Sequence, residues 1–257
     1  MLFADVAGAH GSAARLVRGA GWQWSVIAAG AFDVATARLF RGGSSGVLTV
    51  YIEGDGFAYA APGRRSMDPT PRDPVALRLA LQHPGGGSVA WLARACQYGP
   101  RARNCRSDYW SIARYAPEVI DSAGAALDRL KADAGGATRL ILVGYSGGGA
   151  LAALLAERRG DVAGLVTIAA NLDLGVWTAA HGLTPLLGSV DPATDAARLS
   201  HLPQVHFVGV QDRNVGPAIA YAFVARMAKF LKATFKGWND AVKDPEGAAK
   251  AVVAADT

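Results

Sequence analysis

Short apolar runs alternate with longer helix-forming stretches along this chain. Seven of the runs are predicted to be β-strands, because they are short, bounded by turn-forming residues and rich in β-branched or aromatic side chains. They cover residues 22–29, 34–41, 47–53, 88–95, 139–143, 162–170 and 204–210. A turn at 30–33 joins the first two runs, which predicts an antiparallel hairpin at the start of the sheet.

The stretches between these runs predict helices. One helix opens at Asp73 and Pro74 and extends through Gln82, with Asp73 as its N-cap and Pro74 at its first helical position. Most of 109–132 is also predicted to be helical, as are residues 150–158 and the chain from Ala218 onward. Strands that alternate with helices predict an α/β fold, in which a mostly parallel sheet carries helices on both faces.

Composition narrows the class of protein. With 257 residues, 51% of them hydrophobic and 18% charged, the chain is predicted to form one globular α/β domain. Its net charge of +5 comes from scattered arginines, apart from a cluster at Arg101, Arg103 and Arg106. No nucleic-acid-binding motif accompanies the cluster, so no nucleic-acid partner is expected. No apolar run approaches about 18 residues, which predicts no membrane span, and the first residues do not resemble a signal peptide.

The segment 139–149 carries the strongest chemical signal. An apolar strand leads into Gly144-Tyr145-Ser146-Gly147-Gly148, which fits the G-x-S-x-G pattern, and a helix-forming run follows directly. This strand–turn–helix context is what the nucleophile elbow of a serine hydrolase requires. We therefore expect Ser146 to be a nucleophile in strained backbone geometry. The alternative is a glycine-rich strand-to-helix turn that happens to contain a serine.

Acyl transfer also needs N–H donors for the oxyanion. The backbone N–H of Gly147, directly after the nucleophile, is the first candidate, and the second is expected from the loop after the third strand. That loop contains Gly54, Asp55 and Gly56, and we favour the N–H of Asp55, with that of Gly54 next. An ordinary turn at the end of a strand is the alternative.

The orienting acid is expected after the seventh strand, where Asp212 lies two residues beyond the strand end. A surface aspartate in a turn is the alternative. A histidine should then follow Asp212, but the last histidine of the chain is His206. The leading substitute for the base is His181 in the insertion 171–203, for which a loop histidine bonded to the backbone is the alternative.

Cys96 and Cys105, nine positions apart, are the two cysteines of the chain. Neither belongs to a C-x-x-C motif or lies beside a histidine cluster, so no metal site is predicted. A disulfide and two unpaired thiols remain equally open on the spacing alone, because spacing does not show whether the Cα atoms come close enough. A disulfide would indicate an exported protein, and two free thiols a cytoplasmic one.

Residues from about 22 to 224 resemble a bacterial α/β-hydrolase family of serine esterases, many of them exported. The stretches that match lie at 51–56, 68–74, 96–98, 144–148, 171–173 and 209–213. The resemblance implies an α/β-hydrolase fold over 1–228 with a short cap-like insertion at 171–203, and implies Ser146 and Asp212 as triad members. It also favours a bond between Cys96 and Cys105. The chain departs from the family at its end, where the final strand and the catalytic histidine are missing.

The tail, residues 229–257, resembles a helical segment of ABC-transporter substrate-binding proteins. The matching stretches are 230–238 and 244–246. This resemblance implies a helical tail joined to a hydrolase domain, as in a chimera.

These patterns predict a serine esterase that hydrolyses short-chain esters through an acyl-enzyme and needs no cofactor. We expect its activity to be impaired, because the triad histidine is missing. The alternative is a non-catalytic scaffold of the same fold that binds a small ligand, and an acyltransferase or peptidase is a third interpretation. The acyl and alcohol groups and the oligomeric state are not determined by the sequence.

Overall fold

A computed structural model describes residues 2–41, 46–99 and 102–227 of the chain. Within these residues, seven strands form the central sheet in the order β1-β2-β6-β3-β7-β8-β9. The strands are β1 (Gln23–Ala29), β2 (Phe32–Leu39), β3 (Val47–Ile52), β6 (Ser88–Leu92), β7 (Arg139–Tyr145), β8 (Val162–Ile168) and β9 (Gln204–Phe207). A separate hairpin contains β4 (Tyr59–Ala61) and β5 (Arg64–Arg65).

The pairing of the strands confirms a mostly parallel sheet with an antiparallel opening. β1 and β2 form a hairpin in which Ala29 pairs with Phe32, so the turn contains only residues 30 and 31. β2 also pairs antiparallel with β6. The remaining pairs of the sheet are parallel, namely β6 with β3, β3 with β7, β7 with β8, and β8 with β9. In the described part of the chain no strand follows β9, and β9 is the last strand in the sheet order.

Six α-helices are described: α1 (Leu2–Gly19), α2 (Val75–Leu81), α3 (Pro117–Asp133), α4 (Gly147–Arg158), α5 (Leu174–Ala180) and α6 (Pro217–Arg226). The prediction that most of 109–132 is helical is confirmed by α3, which starts at Pro117, while a separate 3-10 turn covers Ser107–Trp110. α1 was not apparent in the sequence pattern. No described helix has both the length and the apolar character that a membrane crossing needs.

The sheet divides the buried core into two clusters, which confirms helices on both faces. On one face, Leu48, Val50 and Ile52 of β3 pack in a cluster with residues of α3, α4 and α6. On the other face, Tyr51 belongs to a cluster that includes Val17 of α1 and Leu77 of α2. The alternation along β3 is what a strand buried on both faces requires.

Helix α2 begins differently from the prediction. Its N-cap residue is Pro74, which makes no side-chain cap, and Asp73 Oδ1 instead accepts a hydrogen bond from Arg78 Nε at 2.5 Å. The carboxylate of Glu53 supplies the cap, accepting from the N–H groups of Ala76 and Leu77 at 3.3 and 3.2 Å. A buried acceptor directly after β3 therefore satisfies free N–H groups of the first turn, and it ties α2 to the end of that strand.

Candidate active site

Ser146 occupies a sharp turn between β7 and α4. Its backbone angles are φ 51° and ψ −124°, which an L-residue adopts only under strain. The surroundings hold it there: Ser146 N–H donates to Ile168 O of β8 at 2.8 Å, and Gly149 N–H donates to Ser146 O at 2.9 Å. The serine thus lies between the carboxyl end of a parallel strand and the N-terminus of a helix, where the partial positive charge of the helix favours anions.

The glycines of the motif are required by close packing. A β-carbon on Gly144 would overlap the backbone of Gly148 and Gly149, on the far side of the turn. A β-carbon on Gly148 would overlap the carbonyl groups of Ile52 and Glu53. The elbow is therefore packed backbone to backbone against the end of β3, which fixes Ser146 relative to the loop that follows that strand.

Ser146 opens into a cleft of about 760 Å³. The loop after β3 forms one wall, and residues of the insertion and of the loop after β9 form the other. Residues that line the cleft include Gly54, Asp55, Phe57, Arg72, Arg114, Tyr145, Asn171, Trp177, Leu186, Asn214 and Val215. The volume lies within the range of sites that bind small molecules.

The candidate oxyanion donors come from the residue after the serine and from the loop after β3. Gly147 is the first residue of α4, so its N–H has no acceptor within the helix. Gly54 lies against the elbow, since a β-carbon on it would come 3.3 Å from Ser146 Cβ, but its N–H already donates to Glu53 Oε1 at 3.1 Å. The N–H of Asp55 is bonded to no other described residue. This geometry favours Asp55 over Gly54 as the second donor.

Two buried arginines hold the side chain of Asp55. Arg94 donates to Oδ1 at 2.8 Å and Arg114 donates to Oδ2 at 2.6 Å, and the arginine side chains are only 5% and 7% exposed. Burial raises the pKa of Asp55, but the two guanidinium groups outweigh burial and hold the pKa below its usual value. Asp55 is thus ionised, and the two ion pairs fix its side chain against Gly147, the residue after Ser146.

The disulfide loop supports the same wall of the cleft. Cys96 and Cys105 are bonded, with their Cα atoms 5.6 Å apart, so the pairing that the sequence left open is present in the structure. The next residue, Gln97, donates from Nε2 to Gly54 O at 2.8 Å and accepts from Arg94 N–H at Oε1. The loop closed by the disulfide therefore positions both the Gly54–Asp55 segment and one of the arginines that hold Asp55.

Glu53 is buried under the cleft. Its carboxylate accepts from Gly54 N–H and Trp91 Nε1 at 3.1 Å each, in addition to the two N–H groups of α2. Burial nevertheless raises the pKa of Glu53, because the four hydrogen bonds offset desolvation only in part. Its role is structural, because it ties the loop after β3 to α2 and to Trp91 of β6.

Asp212 lies in the loop after β9, which forms part of the opposite wall. Its Oδ1 accepts from the N–H groups of Asn214 and Val215 at 2.8 and 2.9 Å. Both of these residues line the cleft. Burial raises the pKa of Tyr145, and the charges of Glu53 and Asp212 raise it further. The structure thus brings Asp212 to the Ser146 end of the sheet.

His181 lies at the C-cap of α5, exposed, and its Nε2 is 2.8 Å from the carbonyl oxygen of Asn214. The indole of Trp177, one turn earlier, donates to the same carbonyl at 3.1 Å. No described side chain hydrogen-bonds to Ser146 Oγ.

Three further histidines whose side chains are described also bond away from the serine or lie on the surface. His206 in β9 is bonded to Thr167 and Gln204, and burial lowers its pKa to about 4. His83 is bonded to Tyr51 OH, and His201 is exposed.

Sequence reasoning missed three residues in the cleft or directly behind it. Arg94 and Arg114 are 39 and 59 positions from Asp55, and no local pattern marks them as its partners. Asn171, which lines the cleft and is only 4% exposed, leaves its Oδ1 without a partner among the described residues. The resemblance at 171–173 was the available signal for that residue. Within the described ranges no group of His, Cys, Asp or Glu side chains is arranged to hold a metal ion.

Comparison with known proteins identifies the fold. No family model and no curated protein matches the sequence, but many solved structures do. An esterase from Pyrococcus furiosus matches with a TM-score of 0.56 and 13% identity over 81% of this chain and 79% of its own. A lipase/esterase from Lactobacillus plantarum matches with a TM-score of 0.56 and 16% identity over 80% and 84%.

Puromycin hydrolase matches with a TM-score of 0.55 and 17% identity over 81% of this chain, which spans only 33% of that protein. The chain therefore has the α/β-hydrolase fold, and its structural relatives are hydrolases and esterases. At these identities the likeness concerns the fold. The tail 229–257 lies outside the described residues, and its resemblance to substrate-binding proteins has no support from these comparisons.

Proposed function

We propose that this protein is a serine hydrolase that cleaves small carboxylic esters through an acyl-enzyme. The observation that carries the proposal is the strained conformation of Ser146, at a strand-to-helix turn that opens into a cleft. Such strain persists only where the surrounding structure imposes it, and it is concentrated at functional sites. A turn without a function could relax by placing the serine in ordinary backbone geometry.

The reaction proceeds in two steps. Ser146 Oγ attacks the ester carbonyl and loses its proton to a base, the C–O bond to the alcohol breaks, and the alcohol leaves with a proton. Water then attacks the acyl-serine, releases the acid and restores the hydroxyl. The N–H groups of Gly147 and Asp55 stabilise the oxyanion in both steps, and the guanidinium groups of Arg94 and Arg114 keep the Asp55 carboxylate from repelling it.

The proposed site lacks a general base that is bonded to the serine hydroxyl. Asp212 is the proposed orienting acid and His181 the candidate base, but His181 Nε2 is directed to the Asn214 carbonyl. We therefore propose that turnover is slow, because a base must reach the serine hydroxyl within hydrogen-bond distance. Without a triad member, catalysis falls to roughly 10³–10⁴-fold over water.

Size and lining of the cleft favour short, soluble esters. The insertion 171–203 contributes one short helix, α5, rather than a large lid. Phe57, Trp177 and Leu186 offer apolar surface beside the serine, which suits a short acyl chain.

A second candidate function is a non-catalytic scaffold that binds a small ligand in the same cleft. The observation that favours it is that no described side chain hydrogen-bonds to Ser146 Oγ. A scaffold of this kind would bind esters and their acid products without turning them over.

Hydrolysis of p-nitrophenyl butyrate by wild type, Ser146→Ala and Ser200→Ala tests the proposal. We expect slow turnover that Ser146→Ala abolishes, whereas Ser200→Ala, remote from the elbow, retains it. Peptide mapping after treatment with a fluorophosphonate should place the label on Ser146. Binding without serine-dependent turnover or labelling would favour the scaffold, and equal rates in all three proteins would exclude the serine mechanism.

The disulfide also supports a location. A bond between Cys96 and Cys105 persists in oxidising compartments, so we propose that the protein is periplasmic or secreted. We further propose that 1–228 forms one hydrolase domain. Fractionation of the source cells would test the location, and recovery from the cytoplasm with reduced thiols would contradict it.

A further inference from the structure

Arg72 lies at the cleft without an acidic partner among the described residues. Its guanidinium carbon is 4.0 Å from the centre of the Phe57 ring, and both residues line the cleft that contains Ser146. Contact with an aromatic face restricts a guanidinium group while leaving its N–H donors available at the edge. An exposed arginine held in this way loses less freedom when it binds a ligand than an unrestrained side chain would.

The acids that line the cleft are all engaged elsewhere. Glu53 is bonded to four N–H donors beneath the cleft. Asp55 is bonded to Arg94 and Arg114, and Asp73 pairs with Arg78 at 2.5 Å. None of these carboxylates therefore neutralises Arg72.

Positive charge consequently exceeds negative charge along this wall. The guanidinium groups of Arg72, Arg78, Arg94 and Arg114 outnumber the carboxylates of Glu53, Asp55 and Asp73 by one. Of these arginines, Arg72 is the one that forms no ion pair with a described residue. A cleft with a surplus of one sign concentrates ligands of the opposite sign.

We propose that Arg72 binds a negatively charged group of the substrate, so that the cleft takes esters that also carry a free carboxylate. This inference rests on the proposed function, because it takes Ser146 as the nucleophile in the same cleft. The two oxygens of a carboxylate match the paired N–H donors of a guanidinium group, and such charge-assisted bonds are stronger than neutral ones. The substrate class is thus a half-ester of a dicarboxylic acid.

The test compares two p-nitrophenyl esters of equal chain length, the neutral hexanoate and the half-ester of adipic acid. The ratio of kcat/KM for the half-ester to that for the hexanoate is measured in wild type, Arg72→Gln and Arg72→Lys. We expect Arg72→Gln to lower the ratio about tenfold and Arg72→Lys to restore part of it. Arg139→Gln, an exposed arginine at the opposite end of β7, is the matched control and should leave the ratio unchanged.

An unchanged ratio in Arg72→Gln would overturn the proposal. Inorganic phosphate is also an anion that a guanidinium group can bind. Inhibition by phosphate is therefore compared with inhibition by adipate, to distinguish a phosphate site from a carboxylate site. Stronger inhibition by phosphate would overturn the assignment to a carboxylate. The preference for the half-ester should also weaken as salt is added, because salt screens an exposed ion pair.

A binding measurement separates this inference from the proposed function. Calorimetric titration of Ser146→Ala with the intact half-ester needs no turnover, and adding Arg72→Gln should weaken binding about tenfold. Loss of binding without any serine-dependent hydrolysis would support the anion site and contradict the hydrolase. Serine-dependent hydrolysis with no preference for the charged ester would support the hydrolase and contradict the anion site.

Discussion

Gly147 lies directly against the carboxylate of Asp55. A β-carbon on Gly147 would overlap Asp55 Oδ1, the oxygen that Arg94 also contacts. The residues that supply the two proposed oxyanion donors therefore touch each other, through the backbone of one and the side chain of the other. Their relative position is set by this contact and by the arginines that hold Asp55 in place.

Gly147→Ala should therefore damage the oxyanion site. The added methyl group cannot be accommodated by a shift of Asp55 without breaking its bonds to Arg94 and Arg114. We expect kcat for p-nitrophenyl butyrate to fall about 10²–10³-fold, the range for loss of one oxyanion donor.

Gly124→Ala is the control for this substitution. Gly124 lies within α3, where a β-carbon would meet Leu155 at an ordinary 3.8 Å. We expect it to retain activity and to stabilise the fold by up to about 1 kcal/mol. Full activity in Gly147→Ala would contradict the assignment of the oxyanion site.

Asp55→Asn should destabilise the protein. Removal of the charge leaves Arg94 and Arg114 buried without a counter-ion, and we expect the free energy of unfolding to fall by about 3 kcal/mol. Urea unfolding measures the effect. Asp121→Asn is the control, because the side chain of Asp121 is 74% exposed and its pair with Arg158 should contribute less than about 0.5 kcal/mol. Equal stability of the two variants would show that the buried cluster is not held by charge.

The fold was predictable because the sheet strands are short apolar runs with clear boundaries. The sequence predictions failed where a tertiary contact overrides the local signal. Asp73 has the position of an N-cap, yet α2 is capped by Glu53, which directly follows β3 and which no local rule connects to α2. Helix α1 was missed because it contains glycines, and of its residues from 11 to 19 only Ala13 and Val17 are buried.

The candidate site was predictable where a single segment carries it. The elbow around Ser146 follows from a local sequence pattern, and so does the loop that contains Asp55. The arginines that hold Asp55 come from the ends of two other elements, and their convergence depends on the sheet order. Whether the Arg72 guanidinium is available to bind an anion likewise depends on which acids pair with other arginines. Only the assembled structure shows that pairing.

Reduction of the disulfide should destabilise the fold. The bond joins residues separated by nine positions, and closing a loop of this length contributes about 2–3 kcal/mol in the chain-entropy model. Urea unfolding with and without reductant measures the difference, with the double variant Cys96→Ser and Cys105→Ser as the control that reductant should not affect. Two free thiols in the denatured, unreduced protein would contradict the bond.

Stability should also decrease from acid toward mildly alkaline pH because of Glu157. Burial raises its pKa to about 8, with a contribution from Asp195, and its Oε1 has no partner among the described residues. The folded protein therefore holds this proton more tightly than the unfolded chain, and the stabilisation present in acid is lost as pH rises toward 8.

Glu157→Gln stays neutral at every pH and should not show this loss. Relative to wild type, we expect the variant to gain about 2 kcal/mol between pH 5 and pH 8, a value reduced for partial exposure of the side chain. Thermal unfolding across this pH range measures the difference. A constant difference between the two proteins would show that Glu157 is ionised throughout.

Free imidazole should accelerate the wild-type enzyme. Among the described residues no imidazole reaches Ser146, and the cleft of about 760 Å³ has room for a small base beside the serine. Added imidazole can then take the serine proton from within about 3 Å, as a bound histidine would. We expect the Ser146-dependent rate with p-nitrophenyl butyrate to rise with imidazole concentration, after subtraction of the rate with Ser146→Ala.

His181→Ala should change this rate little, since His181 is bonded to the Asn214 carbonyl. If His181 is instead the base, His181→Ala should lower kcat on the order of 10³-fold, about 4 kcal/mol of barrier, and imidazole should restore part of the loss. A high wild-type rate that ignores imidazole and survives His181→Ala would require a different base and would contradict the expectation of an impaired enzyme.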